Sequence, residues 1–333
     1  MPEVLFVSEG EDAPSTRYRA TAFFSRLERA GWSAGHLAAS KRWSDRARVL
    51  LAARRADVVV VLRKTFTPGM RWLLRRAARR LVLDLDDAVY LRDDGTASGT
   101  RAKRFRAMVQ RCDAVFAGNA TLAQAAAACG AQATVLPTAV DPSKYPRASP
   151  PGPGGSIDAV WIGSSSTRKY IEGLLPTLAA AARVTPGLRL KVISDFQLSH
   201  PGLEVLCLPW SERDEAVSVA ASHLGLAPMP DDPWTRGKCG LKALQYMAAG
   251  LPVLASDAGV HREIVEHGRT GWLCAEESQW VRAIADLAAD GTAWSAMGEA
   301  GRRRLCERYS VDAVFERLLG ALQRVLKGDV LAS

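Results

Sequence analysis

The chain has 333 residues, 48% of them hydrophobic and 24% charged, with a formal net charge of +9; because one hydrophobic core stops growing below this length, we expect two domains. None of the six cysteines lies in a CxxC pair or a zinc-binding spacing, which excludes disulfide-rich and zinc-finger classes and predicts a reducing, cytoplasmic setting. The N-terminus lacks the features of a signal peptide, and no apolar run reaches about 18 residues, so we expect no membrane-spanning helix.

Apolar runs of strand length alternate with helical patterns from the first residues onward. Two of the helical patterns cover 16–30 and 119–129. The strands predicted for this part of the chain are 4–8, 58–62, 81–85, 114–117 and 134–136. This alternation indicates a parallel sheet with helices on both faces, which is a doubly wound α/β domain.

The loop after the first strand contains no GxGxxG motif, so the dinucleotide-binding fingerprint is absent. The order of Pro14, Ser15 and Thr16 predicts a helix start with Ser15 as the N-cap residue. Such a helix directs Arg17 toward a ligand at the strand ends. A capped helix without a ligand explains the same residues, and both interpretations remain open.

Positive charge is concentrated in the N-terminal part of the chain. Residues 1–150 contain 25 Lys and Arg against 14 Asp and Glu, whereas residues 151–333 contain 19 against 21. Within the basic part, residues 68–81 form an amphipathic pattern with one arginine-rich face. Such a face suits peripheral contact with an anionic membrane, here the inner face of the cell membrane, but an arginine-rich composition produces it on any surface helix.

A segment rich in proline and glycine, residues 146–156, divides the chain. The strands predicted after it are 157–162, 188–194, 205–208, 223–227, 251–255 and 271–274, followed by helices over 294–309 and 311–326. We therefore predict an N-terminal domain over 1–145, a linker over 146–156, a C-terminal domain over 157–310 and a last helical segment over 311–333. Two doubly wound domains imply a cleft with ligands at the carboxyl ends of the strands.

The segment 234–274 combines a glycine-containing turn, a lysine-bearing helix, a short strand and a second turn of small residues. We predict a helix that begins near Cys239, with Lys238 and Lys242 on one face and Arg236 just before it. A helix N-terminus contributes at most about 2 kcal/mol, whereas binding a nucleotide at about 10–100 μM needs on the order of 5.5–7 kcal/mol. These cations are therefore expected to help bind a diphosphate, although two lysines on a solvated helix face are the ordinary alternative.

Six collinear blocks lead to a family resemblance. The longest reads GLKALQYMAAGLPVLASDAGVHREIVEHGRTGWL, and others read PSTRYRA, LDLDDAVY, CDAVFAGNATLA, VLPTAVDPSKY and VWIGSSSTRKYI. The chain resembles retaining, family 4-type glycosyltransferases of the GT-B fold. That resemblance implies two Rossmann-like doubly wound parallel-sheet domains facing across a cleft, with the C-terminal helix crossing back to the N-terminal domain. It also implies that the N-terminal domain binds the acceptor and the C-terminal domain binds the donor.

The resemblance implies transfer of a sugar from a nucleoside diphosphate sugar, with UDP, GDP or TDP, to an acceptor hydroxyl. It further implies that the reaction proceeds with retention and without a metal or other cofactor, and that the acceptor is a glycan, a lipid-linked molecule or a small molecule. Family members bind the donor diphosphate with an arginine and a lysine after the first strand of the second domain. Here Ser164 stands in place of the arginine and Lys169 matches the lysine. The missing charge is assigned to Arg168 or Arg236.

Two glutamates of the family pattern are absent. The corresponding positions hold Gly237 and Gln245. Gln245 remains able to hydrogen-bond a ribose hydroxyl through its amide, while the contact to the donor sugar is assigned to Asp231 or Asp232. A turn between two prolines explains both aspartates equally well.

The acidic DLDD motif at 84–87 resembles a metal-binding motif, but metal-dependent transferases with that motif have a different, single-domain architecture. We interpret Asp87 as a catalytic-site residue on the acceptor side, and Asp231 as its counterpart on the donor side. Lys169, Lys238 and the backbone of Gly240, Leu241 and Lys242 are expected to stabilise the leaving nucleoside diphosphate.

Two other function classes remain open. A sugar-nucleotide epimerase or a phosphorylase has the same fold, but paired catalytic acids and a cofactor-binding lysine are not evident. A nucleic-acid-binding protein is suggested by the pI of about 9.5, yet the chain contains no recognisable DNA- or RNA-binding module. We therefore expect no nucleic acid partner.

Overall fold

The computed structural model describes residues 1–152 and 155–329, which fall into two compact units. The first unit contains Met1–Ala139 and Asp232–Cys239 together with the segment that begins at Val311. The second contains Val140–Asp231 and Gly240–Ser310. Residues 153 and 154 of the expected linker and residues 330–333 of the expected last segment lie outside the described residues.

Each unit has one six-stranded sheet in which every strand pair is parallel. The strands of the first unit are β1 (Glu3–Ser8), β2 (Ser33–Ala38), β3 (Val58–Leu62), β4 (Arg80–Leu85), β5 (Ala114–Ala117) and β6 (Ala133–Val135). Those of the second are β7 (Ile157–Ile162), β8 (Leu188–Ser194), β9 (Glu204–Pro209), β10 (Leu224–Ala227), β11 (Val253–Ser256) and β12 (Gly271–Cys274).

Helices connect the strands in both units. They are α1 (Pro14–Arg19), α2 (Phe24–Arg29), α3 (Trp43–Ala53), α4 (Pro68–Ala77), α5 (Gly99–Val109), α6 (Ala120–Ala127), α7 (Arg168–Val184), α8 (Glu215–Ala220), α9 (Leu241–Ala249), α10 (His261–Ile264), α11 (Glu277–Ala289), α12 (Gly291–Arg308) and α13 (Val311–Lys327). The predicted fold class, two doubly wound parallel-sheet α/β units, is confirmed.

Both faces of the first sheet are covered, as its apolar strands require. Val59 of β3 and Leu5 of β1 pack in one cluster with residues of α3, α4, α5 and α6. Val58 and Val4, whose side chains point the opposite way because strand residues alternate, pack in a second cluster with residues of α2 and α13. Every residue of β3 is buried, which is typical of a central strand in a parallel sheet.

The last helix, α13, belongs to the first unit although it follows the second in sequence. Val314, Phe315 and Leu318 are buried and lie in the same cluster as Phe6 of β1. The family resemblance implies this return of the chain to the N-terminal domain.

The order of strands fixes where ligands are expected. The first sheet has the order β2-β1-β3-β4-β5-β6, and the second has β12-β11-β10-β7-β8-β9. In the first unit, β2 is added on one side of β1, and β3 and the later strands are added on the other side, so the switch point lies between β1 and β3. In the second unit the switch point lies between β7 and β10 for the same reason. Open α/β sheets bind ligands at the carboxyl ends of the strands beside such a switch point.

The start of the chain differs from the sequence prediction. Ser15 is not the N-cap residue of α1, because that helix begins at Pro14 and Ala13 occupies the cap position without a side-chain hydrogen bond. Proline suits the first helical position, since its fixed φ is helical and its missing N–H is not needed there. The single helix predicted over 16–30 is broken into α1, a 3-10 turn at Thr21–Phe23 and α2.

Candidate functional site

The second unit contains a pocket of about 410 Å³ beside its switch point. Lys169 and Tyr170 of α7 line it, together with residues 228–230 after β10, Ser256 at the end of β11 and Trp280 of α11. The Lys169 Nζ lies 5.3 Å from the centre of the Tyr170 ring. Of the residues proposed from sequence for the diphosphate, Lys169 is therefore the one that lines this pocket.

The loop between β7 and α7 is fixed by hydrogen bonds. Ser164 and Thr167 form a capping box around a short 3-10 turn. The backbone N and the Oγ of Ser165 donate to the Asp195 carboxylate at 2.7 and 2.8 Å. These contacts set the start of α7 and hence the position of Lys169 in the pocket.

Arg168, the neighbour of Lys169, is engaged elsewhere. Its Nε donates to Glu172 at 2.7 Å, and its guanidinium lies 5.0 Å from the centre of the Phe196 ring. The structure therefore does not bring Arg168 to the pocket lining beside Lys169.

Helix α9 begins later than the sequence predicts. Gly240 is its N-cap residue with φ of 66°, in the left-handed region that favours glycine. A Cβ at this position would also lie 2.3 Å from the Ile264 Cδ1. Lys238 lies before the helix with extended backbone, so the prediction that Lys238 and Lys242 share one helix face is wrong.

Lys242 lies in the first turn of α9, where the sequence predicts it. Its Nζ lies 5.4 Å from the centre of the buried Trp161 ring.

His261 is buried and its Nδ1 lies 3.2 Å from the Ser256 carbonyl oxygen. Burial lowers the pKa of His261 to about 4, and the charge of Lys242 adds to this effect. The imidazole is therefore neutral near pH 7.

The three residues proposed to take over the contacts of the missing glutamates all have protein partners. Gln245 is 3% exposed and its Nε2 donates to the Tyr145 Oη at 3.1 Å, which places its amide in the core of the second unit. Asp231 forms an ion pair with Arg262 at 3.5 Å. Asp232 accepts a hydrogen bond from the Thr235 backbone N at 2.8 Å, as expected of a turn residue.

The segment Asp232–Cys239 packs within the first unit, although its place in the sequence predicts that it belongs to the C-terminal domain. The Asn119 Nδ2 donates to the carbonyl oxygens of Arg236 and Lys238 at 3.1 and 2.8 Å. A Cβ on Gly237 would lie 2.6 Å from the Ala88 Cβ, so glycine permits this close approach of two backbones.

A group of three aspartates lies at the carboxyl end of β4. The Arg19 guanidinium binds Asp84 with two hydrogen bonds of 2.5 and 2.8 Å, both partners being buried. Burial alone would lower the pKa of Arg19, but the charge and hydrogen bonds of Asp84 raise it above its usual value. Arg19 therefore keeps its charge, and its ion pair with Asp84 is structural.

The other two aspartates, Asp86 and Asp87, form ion pairs with Arg63 and Lys238. The Arg63 Nη2 lies 2.7 Å from an Asp87 oxygen, and the Lys238 Nζ lies 3.3 Å from the other Asp87 oxygen. The Arg63 Nε lies 3.3 Å from the Asp86 Oδ1, a buried oxygen that receives no hydrogen bond from the described residues. Burial raises the pKa of Asp86 to about 6, against the opposing charge of Arg63.

The remaining residues predicted for the site lie near the start of the chain. Ser15 is buried within α1, and the Arg17 guanidinium lies 5.2 Å from the centre of the Tyr18 ring. Both belong to the first unit, as Asp87 does.

Sequence reasoning missed Arg63, Tyr170 and Trp280. A signal for Arg63 was present, because a basic pair directly follows the buried apolar run VVVVL at 58–62. Trp280 comes from α11, far along the chain from Lys169, so only the fold brings it to the pocket.

Comparison with known proteins agrees with this geometry. Residues 158–290 match the family model described as Glycosyl transferases group 1. The sucrose synthase of Melioribacter roseus is 32% identical over 118 residues, which cover 34% of this chain and 14% of that enzyme. The matched family segment contains the pocket residues named above.

Solved structures resemble the whole chain. The sucrose-phosphate synthase of Thermosynechococcus elongatus has a TM-score of 0.77 at 14% identity, covering 99% of this chain and 100% of that one. The Anabaena protein HepE, solved with UDP and glucose, has a TM-score of 0.70 at 17% identity, covering 97% and 100%. At these identities the likeness establishes the fold, which is that of GT-B glycosyltransferases.

Proposed function

We propose that the protein is a glycosyltransferase that moves a sugar from a nucleoside diphosphate sugar to an acceptor hydroxyl. The pocket beside the β7/β10 switch point carries this proposal, because Lys169 lines it and it lies within the segment 158–290 that matches the family model. Its volume suits part of a nucleotide sugar.

The chain supplies several groups for the leaving diphosphate. Lys169 contributes a positive charge from α7, and Lys242 contributes a second from the first turn of α9. The N-terminal end of α9, after Gly240, attracts an anion because it is the positive end of the helix dipole. As negative charge develops on the nucleoside diphosphate, these fixed groups stabilise it without reorganisation.

The donor is proposed to be a UDP, GDP or TDP sugar. HepE, which resembles the whole chain, was solved with UDP and glucose, and this favours UDP as the first nucleotide to test. Asp231 is proposed to contact the donor sugar, and Asp87 to lie on the acceptor side.

Retention and independence of a metal are also part of the proposal. Retention rests on the resemblance of residues 240–273 to the retaining family. Metal independence is supported by the ion pairs of the DLDD motif, since Arg19, Arg63 and Lys238 already balance its three carboxylates.

We further infer peripheral contact with anionic membranes through the first unit. No helix among residues 1–152 and 155–329 is long and apolar enough to cross a bilayer. On α4, however, Trp72 is 53% exposed, and the Arg76 guanidinium lies 5.0 Å from the centre of its ring. An exposed tryptophan among arginines suits the headgroup region of an anionic bilayer.

The donor site is tested by calorimetric titration of the full chain with UDP, GDP and TDP. For the nucleotide that binds, Lys169→Ala is expected to weaken affinity about tenfold, because it removes a charge-assisted contact. Arg183→Ala is the matched control, since it removes an exposed cation at the far end of the same helix.

Binding of none of the three nucleotides by the unaltered protein would overturn the proposal. Equal losses in Lys169→Ala and Arg183→Ala would remove Lys169 from the site.

A further inference from the structure

The imidazole of His261 is a hydrogen-bonding group to which the proposed donor site assigns no role. His261 is the first residue of α10, and it follows the turn after β11 in the second unit. Its Nδ1 lies 3.2 Å from the Ser256 carbonyl oxygen, and Ser256 lines the pocket. The ring is therefore in contact with the pocket lining at the carboxyl end of the second sheet.

The contact with Ser256 determines which ring nitrogen carries the hydrogen. A carbonyl oxygen can only accept a hydrogen bond, so Nδ1 must donate one. The ring is neutral near pH 7, because burial lowers the pKa of His261 to about 4. A neutral imidazole has one N–H group, so Nε2 carries a lone pair and is a hydrogen-bond acceptor.

The Nε2 acceptor is not used within the part of the chain that the structure describes. There the ring makes one hydrogen bond, the contact of Nδ1 with Ser256. His261 is 4% exposed, but Nε2 does not belong to the described polar atoms that are fully buried without a hydrogen bond. A group that donates a hydrogen bond can therefore reach Nε2 from outside the protein core.

The start of α9 packs against residues on both sides of His261. A Cβ on Gly240 would lie 2.3 Å from the Ile264 Cδ1 and 3.2 Å from the Val260 Cγ1. Lys242, in the first turn of α9, is close enough for its charge to lower the pKa of His261 further. A diphosphate bound at the start of α9 therefore places the sugar attached to it beside α10.

The chemistry of Nε2 distinguishes the parts of a nucleotide sugar. Diphosphate oxygens only accept hydrogen bonds, so they cannot satisfy an acceptor, whereas a sugar hydroxyl can donate to one. Asp231, to which the sugar contact is assigned from sequence, is already paired with Arg262 at 3.5 Å. A sugar hydroxyl therefore fits the His261 Nε2, and the diphosphate does not.

We propose that the His261 Nε2 accepts a hydrogen bond from a hydroxyl group of the donor sugar and so helps to select that sugar. This inference rests on the proposed glycosyltransferase function and adds a specificity-determining residue to its donor site. A donor without the matching hydroxyl leaves the acceptor unpaired, and sites built around such a hydrogen bond reject analogues that lack it.

The test compares a nucleotide with its sugar derivative, by calorimetric titration of the full chain with UDP and with UDP-glucose. His261→Asn keeps a donor for the Ser256 carbonyl oxygen but has no acceptor at the position of Nε2. It is expected to weaken UDP-glucose binding about tenfold and to leave UDP affinity unchanged. His261→Gln, whose longer side chain brings an amide oxygen near that position, should recover part of the loss. His267→Asn, the matched change at an exposed histidine of the same unit, should change neither affinity.

The unaltered protein provides a second measurement that does not depend on the folding of a variant. With isotope-labelled histidine nitrogens, the nuclear magnetic resonance signal of the His261 Nε2 should move upfield when UDP-glucose is added. It should not move with UDP, because only the sugar donates a hydrogen bond to this nitrogen.

Equal UDP-glucose affinity in His261→Asn and the unaltered protein would overturn the inference. Equal losses for UDP and UDP-glucose would also overturn it, because they would assign His261 to the nucleotide or to the fold. If GDP or TDP is the nucleotide that binds, GDP-mannose or TDP-glucose takes the place of UDP-glucose. Failure of the proposed function shows differently, as absent binding of UDP, GDP and TDP by the unaltered protein.

Discussion

At the scale of single residues, Gly240 and Arg63 both have a positive φ, but for different reasons. Gly240 has φ of 66° without cost from a side chain, and it allows α9 to begin against Ile264. Arg63 has nearly the same φ with a long side chain, so its conformation is maintained by tertiary contacts. A sequence identifies the first kind, because glycine marks it, and gives no local sign of the second.

His261 provides a prediction of pH dependence. In the unfolded chain its imidazole binds a proton near pH 6.5, whereas in the folded chain burial lowers the pKa to about 4. Between these values the unfolded state binds more protons, so stability falls as pH falls from about 6.5 to about 4. Between pH 7 and pH 5, the free energy of unfolding measured with urea should fall by about 2 kcal/mol less in His261→Asn than in the unaltered protein.

The asparagine retains a donor near the Ser256 carbonyl oxygen, so the two proteins should be of similar stability at pH 7. Identical losses between pH 7 and pH 5 would show that His261 does not cause the dependence.

At the scale of helices and strands, periodicity predicted the buried elements well. The run VVVVL of β3 and the helix after residue 310 were found because their apolar patterns are long or unbroken. The strand β2 was not predicted, because SAGHLA contains a glycine and a histidine and all six of its residues are only partly buried. An edge strand of this kind is specified by pairing with β1, which local sequence does not encode.

The site was predicted in the same uneven way. Lys169 was placed through a motif at a strand end, and the structure puts it in the pocket. Lys238 was assigned to a helix face, but its segment packs on the first unit and Lys238 contacts Asp87 instead. Gln245 lies in a helix, as the sequence predicts, but its amide is hydrogen-bonded to Tyr145, which lies a hundred residues earlier in the chain. Long-range packing decides such cases.

Helix α13 gives a prediction about stability. Leu318 is 3% exposed within the cluster that joins this helix to the first sheet. Leu318→Ala is expected to lower the free energy of unfolding by about 3 kcal/mol, through lost burial and the cavity left behind. Gln323→Ala, an exposed position of the same helix, should change it by less than about 0.5 kcal/mol in the same urea titration. A loss below about 1 kcal/mol for Leu318→Ala would mean that α13 contributes little to this core.

At the scale of the whole molecule, charge separates the two halves of the chain. Residues 1–150 carry the excess of Lys and Arg, and the exposed Trp72 lies among them. We expect the full chain to sediment with phosphatidylserine vesicles and to be released as salt is raised, because screening weakens attraction between exposed charges.

Two variants, each of which changes one exposed tryptophan, test whether α4 makes this contact with the vesicles. Trp72→Ala should weaken vesicle binding several-fold through the loss of inserted apolar surface. Trp210→Ala, which changes a 40% exposed tryptophan of the second unit, should leave it unchanged. Equal binding by all three proteins would exclude α4 as the contact.

The route of the chain has a consequence for biosynthesis. The polypeptide leaves the first unit after Ala139 and returns to it for Asp232–Cys239 and again from Val311. During synthesis the strands of the first sheet therefore leave the ribosome early. The helix α13, which covers one apolar face of that sheet, is made last. Until about 170 further residues have been translated, that face depends on chaperones or transient contacts for protection.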